Sequence, residues 1–175
     1  MNAEQLKAAQ APLKARYKED PATALWTLSA RGRLGRERPT VRIETGHGRV
    51  EAGLHPATGG SGDDACSGDM LLEALAACSG VTLKAVATAL GINIRDGVIV
   101  VEGDLDFRGT LGVAKEAPVG FTEIRLRFEL DTDASDTQLD TLLKLAERYC
   151  VIYQTLKLPP QLSVNRVLNH SVPAG

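Results

Sequence analysis

Two cysteines, Cys78 and Cys150, each lie deep in a long apolar segment whose periodicity predicts a helix. A thiol in that setting is either an inert filler of the core or a nucleophile kept in a dry pocket. Residues 67–91 read SGDMLLEALAACSGVTLKAVATALG, and Leu71, Ala74, Leu75, Cys78, Thr82, Ala85 and Ala89 fall on one helical face. Residues 135–158 read SDTQLDTLLKLAERYCVIYQTLKL, with Leu139, Leu142, Leu143, Ala146, Cys150 and Tyr153 on a second such face. The two thiols have parallel settings.

Thiol chemistry runs through the thiolate, and apolar burial raises a thiol's pKa unless a cation or a donor stabilises the charge. Cys78 stands about three turns into its helix, where the dipole of that helix has decayed. An arginine from another element is the expected source of help. Arg31, Arg33, Arg36 and Arg38 supply four guanidinium groups in one short stretch, which otherwise reads as a solvated loop. Gly80 costs the helix about 1 kcal/mol relative to alanine, which points either to close helix packing or to access for a substrate. Cys66, just before Ser67-Gly68-Asp69, sits where free N–H groups lower a thiol's pKa, but Asp63, Asp64 and Asp69 oppose that. It reads as a bystander or a loop anchor.

Other chemistries find less support. Three cysteines with His47, His55 and His170 show no C-x-x-C or paired-histidine spacing, so no metal is expected. Thr58-Gly59-Gly60-Ser61-Gly62 has the glycines of a phosphate loop without its Gly-Lys-Ser/Thr, and it misses the G-x-S-x-G elbow of a serine hydrolase.

A chain of 175 residues fits one domain. With 20 basic and 22 acidic residues, the net charge of −2 provides no broad positive field for nucleic acid or anionic lipid. The N-terminus lacks the layout of an export signal, and Glu73 and Lys84 interrupt the apolar stretch, so a soluble cytoplasmic protein with free thiols is expected. Residues 2–18 read as a weakly packed helix, interrupted at Pro12 and stopped by Pro21. Residues 25–54 read as three antiparallel strands with turn signals at Arg31-Gly32-Arg33, Leu34-Gly35 and Gly46-His47-Gly48. Gly91 is expected to end the first long helix. Strands follow at 98–108 and 121–131, the second alternating Ile124, Leu126, Phe128 and Leu130 with charged residues. Ser135 with Gln138 forms a capping box for the second helix, Pro159 and Pro160 end it, and Leu162–Leu168 supplies a last strand. The first helix is apolar around most of its circumference, so a second copy of the chain is expected to cover part of it.

The run Leu71-Leu72-Glu73-Ala74-Leu75-Ala76-Ala77-Cys78, then Val81-Thr82-Leu83, resembles the central helix of the OsmC/Ohr family, the osmotically induced protein C and organic hydroperoxide resistance proteins. Ala146-Glu147-Arg148-Tyr149-Cys150-Val151 is similar to that family's second cysteine helix. The resemblance covers residues 25–168. It implies an OsmC-like domain over 25–175 preceded by a helical extension over 1–24. The implied fold is α+β, an intertwined homodimer with antiparallel sheets around two long central helices and active sites at the subunit interface. It further implies that Cys78 attacks a hydroperoxide and becomes a sulfenic acid, that Cys150 resolves it into a disulfide, and that a dithiol such as a dihydrolipoyl group reduces the pair. Leu71, Leu75 and Val81 would make an apolar pocket for organic hydroperoxides. No cofactor is implied. The family's arginine matches Arg36 first, with Arg33 and Arg38 as alternatives. Its helix normally opens with Pro-Glu, but Gly68 stands in the place of that acid, leaving Asp69 or Glu73 to substitute. Gly68 favours the other reading, a non-enzymatic dimer that binds a small apolar ligand.

Overall fold

Residues 1–36, 38–45 and 48–167 are described by the structure, a computed structural model of the chain. An Asn2–Gln5 capping box opens α1 (Ala3–Glu19), which buries no residue. The helix runs through Pro12 instead of breaking there: every residue around the proline is exposed, and the capped alanine-rich turn before it holds the register. A short 3-10 turn at Pro21–Ala24 follows.

Three antiparallel strands form as expected, β1 (Arg31–Leu34), β2 (Val41–Thr45) and β3 (Gly48–Gly53), but the first is shifted. Arg31-Gly32-Arg33 is strand and not turn. A Cβ on Gly32 would lie 2.6 Å from Val41 Cγ1, so the glycine there permits close packing across strands. Gly46 and His47, read as the next turn, lie outside the described residues. A two-residue strand, β4 (Ala65–Cys66), adds to β3 in parallel.

From Cys66 the chain enters α2 (Ser67–Leu90), which ends on Gly91 in the left-handed conformation at φ 71°, the C-cap that its position implies. The helix is long and apolar enough to cross a membrane, by length and composition only. Within the chain it behaves as a core helix along one stripe, burying Leu75, Ser79, Leu83 and Ala87. Ser79 remains apolar-compatible because its hydroxyl donates to Leu75 O at 2.7 Å.

The hairpin β5 (Ile94–Leu105) and β6 (Phe121–Thr132) forms a second, antiparallel sheet; a short helix, α3 (Phe107–Thr110), lies in the connection. Its outer face carries Arg125, Arg127 and Glu129, paired with Glu102, Asp104 and one another. Phe128, Leu130 and Ile99 turn inward onto Leu83, Ala87, Leu142 and Ala146. A Cβ on Gly80 would stand 3.2 Å from Ile99 Cγ1, so that glycine serves the packing of α2 on β5.

The second long helix is not continuous. Ser135 and Gln138 make the expected capping box for α4 (Asp136–Tyr149), but the chain leaves helical geometry at Cys150, with φ −74° and ψ 111°, and restarts as α5 (Val151–Lys157). The expected last strand is absent from residues 162–167. Leu162, Val164 and Val167 are 87%, 96% and 85% exposed, and no strand among the described residues pairs with them; Leu168 lies outside the described residues. The architecture is α+β: α2 and α4 pack on each other and on the β5–β6 hairpin, and the four-stranded sheet meets α2 through β4.

Candidate active site

The break at Cys150 is what builds the site. An unbroken helix would pair the N–H groups of Val151, Ile152 and Tyr153 with the carbonyls of Glu147, Arg148 and Tyr149. The extended backbone of Cys150 frees all three donors. Tyr153 N–H turns to Cys150 Sγ at 3.4 Å, and Val151 and Ile152 direct theirs at Cys78 Sγ. On the other side of the break, Gln154 Nε2 takes the released Glu147 carbonyl at 2.7 Å. The Glu147 carbonyl thus regains a donor after the break, as buried backbone favours.

Cys150 is 1% exposed and Cys78 is half-buried. Burial pushes the Cys78 thiol up, but the Ile152 N–H, the Cys150 thiol, the Val151 N–H and the Thr82 hydroxyl all donate to its sulfur, and the net result lies below the ordinary thiol value. Cys150 moves the opposite way. Burial raises it first, and the hydrogen bond and charge of Cys78 raise it further. The pair therefore divides into a thiolate, Cys78, and a thiol that donates to it, Cys150.

Sequence reading expects both cysteines inside helices and an arginine from another element beside Cys78; Cys78 lies within α2, Cys150 lies at the break between α4 and α5, and the start of α5 supplies donors that the reading did not include. Thr82 stood on the Cys78 face at i+4, and that spacing was the available sign of its role.

Arg36 lines a hollow on the N-terminal sheet with Arg33, Arg38 and Arg42. Within one chain none of these guanidinium groups is among the main causes of the Cys78 shift. Arg38 is held by Asp64 in a bidentate pair at 2.9 and 3.2 Å. Cys66 is the last residue of β4 and the N-cap residue of α2, where its side chain makes no cap hydrogen bond. It stands about 18 Å from Cys78 along the helix at ~1.5 Å per residue. A Cβ on Gly68 would meet Phe121 Cζ at 3.5 Å, Cys66 Sγ at 3.6 Å and Leu105 Cδ1 at 3.7 Å. That position faces apolar groups. Asp69 and Glu73 are exposed and make no ion pair among the described residues. His170 lies outside the described residues.

A cleft of about 540 Å³ opens between β6 and the two helices that meet at Cys150, and neither thiol lines it. Leu75, one turn before Cys78, lines it together with Ile124, Leu126, Leu143, Tyr153 and Leu156. Of the three residues expected to make an apolar pocket, Leu75 alone is there; Leu71 is 37% and Val81 73% exposed.

The fold recurs in solved structures. An OsmC like protein from Mycoplasma pneumoniae is 20% identical with a TM-score of 0.64, over 77% of this chain and 89% of that one. A protein from Legionella pneumophila described as an organic hydroperoxide resistance protein OsmC is 20% identical with a TM-score of 0.59, over 77% and 91%. An organic hydroperoxide resistance protein from Elizabethkingia anophelis, crystallised with thiocyanate, is 16% identical with a TM-score of 0.60, over 77% and 91%. The comparison with curated proteins returns no match. The sequence model for OsmC-like proteins matches residues 60–165, from the glycine-rich loop through both cysteine helices and beyond the second. The chain belongs to the OsmC-like protein family.

Proposed function

We propose that the protein is a dithiol-dependent peroxidase for organic hydroperoxides. The carrying observation is the helix break at Cys150, which turns the backbone donors of α5 to two free thiols and so lowers Cys78 while Cys150 is raised. The Cys78 thiolate attacks the terminal oxygen of ROOH and the O–O bond breaks. Cys78 keeps that oxygen as a sulfenic acid, and the departing alkoxide takes a proton to leave as ROH. The same step releases Cys150. Once Cys78 is a neutral sulfenic acid, the charge and the acceptor that held Cys150 protonated are gone. Cys150 then ionises more readily, attacks the Cys78 sulfur and expels water, forming the disulfide. A dithiol such as a dihydrolipoyl group reduces it and is itself oxidised to a disulfide. Free thiols of this kind suit the cytoplasm.

The reading includes a homodimer. The chain exposes 13791 Å², whereas a compact monomer of 18.6 kDa exposes about 8,200 Å². Part of the excess is apolar: Trp26 is 75%, Leu28 90% and Val81 73% exposed. A second copy that covers the open side of α2 would remove this surface from water. Light scattering in solution is expected to give twice the 18.6 kDa chain mass at micromolar concentration; a stable monomer would remove the dimer and the interface site. Arg36 acts on Cys78, in this reading, across that interface.

The test of function is a coupled assay with cumene hydroperoxide and dihydrolipoamide, beside hydrogen peroxide. Turnover that vanishes in Cys78→Ser and slows in Arg36→Ala supports the whole reading, and an unchanged rate in Arg36→Ala removes that arginine alone. A second reading rests on the cleft beside Leu75 and on Gly68: a dimer that binds a small apolar molecule without reducing it. Saturable binding of such a molecule with no hydroperoxide turnover by the wild type would favour it.

A further inference from the structure

We propose that the polar face of the N-terminal sheet binds the phosphate dianion of a small phosphomonoester, at a site built on Arg33 and Arg42 that shares Arg36 with the thiol site proposed above. Strand register carries the argument. Across this face Arg31 lies opposite Glu44, Glu44 opposite Arg49, and Arg42 opposite Glu51. Each of these pairs matches opposite charges. Arg33 lies directly opposite Arg42, the like-charged pair on that face, and like charges in direct opposition repel.

The surroundings hold this pair in place. Thr40, 7% exposed, gives its hydroxyl to Glu51 Oε1 at 2.7 Å, and Arg42 Nε donates to Glu51 Oε2 at 3.1 Å. Glu51 thus spends both oxygens on fixing Arg42 while the terminal amino groups of that guanidinium make no bond among the described residues. The connection to β2 is set by Gly35 N–H to Thr40 O and Thr40 N–H to Arg38 O, both 2.8 Å. A Cβ on Gly35 would lie 2.4 Å from Thr40 Oγ1, so a larger residue would push this loop out of shape. The result is a hollow of about 440 Å³ lined by Arg33, Arg36, Arg38, Arg42, Thr40 and Glu51.

Charge selects the ligand. Arg38 is matched by Asp64 and Arg42 by Glu51, whereas Arg33 and Arg36 have no hydrogen-bond or ion-pair partner among the described residues. Two positive charges without a partner among the described residues complement a dianion. Guanidinium groups arriving from two strands and a loop suit the oxygens of a tetrahedral phosphate better than the two coplanar oxygens of a carboxylate. The hollow falls within the range of about 300–1,000 Å³ usual for small-molecule sites, which leaves room for the ester group.

Calorimetric titration of the full-length protein with glycerol 3-phosphate, inorganic phosphate and succinate tests this, with ionic strength matched by sodium chloride. Saturable binding of glycerol 3-phosphate is expected, at least as tight as inorganic phosphate and tighter than succinate. Arg33→Ala, an exposed change, is expected to weaken it tenfold or more, while Arg95→Ala, past the C-terminal end of α2 and paired with Asp131, leaves it alone. Absence of saturable binding, equal affinity in Arg33→Ala, or succinate binding as tightly as glycerol 3-phosphate overturns the proposal. So does a dimer that needs Arg33 while the protein ignores phosphate, because the hollow then belongs to a second copy.

Discussion

One equivalent of an organic hydroperoxide is expected to link Cys78 to Cys150 and leave Cys66 free, and Cys150→Ser is expected to turn catalysis into a single event per chain. Both outcomes follow from position. Cys150 already donates its thiol hydrogen to Cys78, so the resolving sulfur is at the sulfenic acid when it forms. Cys66 lies about 18 Å along a rigid helix at ~1.5 Å per residue, beyond the reach of any disulfide within the chain. Without Cys150 the sulfenic acid has no partner, steady-state turnover disappears, and further hydroperoxide drives Cys78 to the sulfinic and sulfonic acids. Peptide mapping with mass spectrometry separates the cases. A Cys66–Cys78 bond in the wild type, or full turnover by Cys150→Ser, would overturn the assignment of Cys150.

The elements that carry the site were legible in the sequence for physical reasons that are local. The face holding Leu71, Leu75 and Cys78 repeats at helical spacing and ends on Gly91, whose φ of 71° only glycine adopts without strain. Ile124 to Leu130 alternate, and the strand has one wet face. Ser135 and Gln138 form the reciprocal cap that their spacing implies. The break at Cys150 had no such sign. Leu142, Ala146, Cys150 and Tyr153 continue one apolar stripe, and neither glycine nor proline interrupts it. The break is compensated by hydrogen bonds to Cys78, a residue far away in sequence, and periodicity carries no information about such a partner. The arginine stretch was legible as a concentration of charge, but not as the cross-strand opposition of Arg33 and Arg42. That opposition depends on a strand register one pattern too short to fix. The missing last strand has a similar origin: Leu162 and Val164 alternate with polar residues, yet a strand needs a neighbour, and alternation does not supply one.

Val151→Pro is expected to leave the fold in place and raise the titration midpoint of Cys78 by about one to two pH units, because it removes one backbone donor and little else. Proline suits the first position of a helix, where its fixed φ is already helical and its missing N–H breaks no intrahelical bond. The residue before a proline must be extended, and Cys150 already is, at φ −74° and ψ 111°. The Val151 side chain is 67% exposed, so its loss costs little packing. What disappears is the N–H directed at Cys78 Sγ. A hydrogen bond to a charged group contributes about 1.5–3 kcal/mol, and one pKa unit corresponds to about 1.4 kcal/mol, which gives the size of the shift. Below both midpoints the thiolate fraction falls about ten- to hundredfold; the greater nucleophilicity of the more basic thiolate offsets part of that, leaving alkylation about three- to tenfold slower. Stability should follow the same charge. Because the folded pKa of Cys78 lies below its unfolded value, the stabilisation is present above the ordinary thiol range and is lost as pH falls through the folded pKa. Wild-type stability therefore gains more from rising pH across that window than Val151→Pro does. Val151→Ala, which keeps the N–H, is the control. If iodoacetamide titration places Cys78 at the same midpoint in Val151→Pro as in Val151→Ala, the backbone at the start of α5 does not set the thiolate, and the arginine across the interface becomes the remaining source.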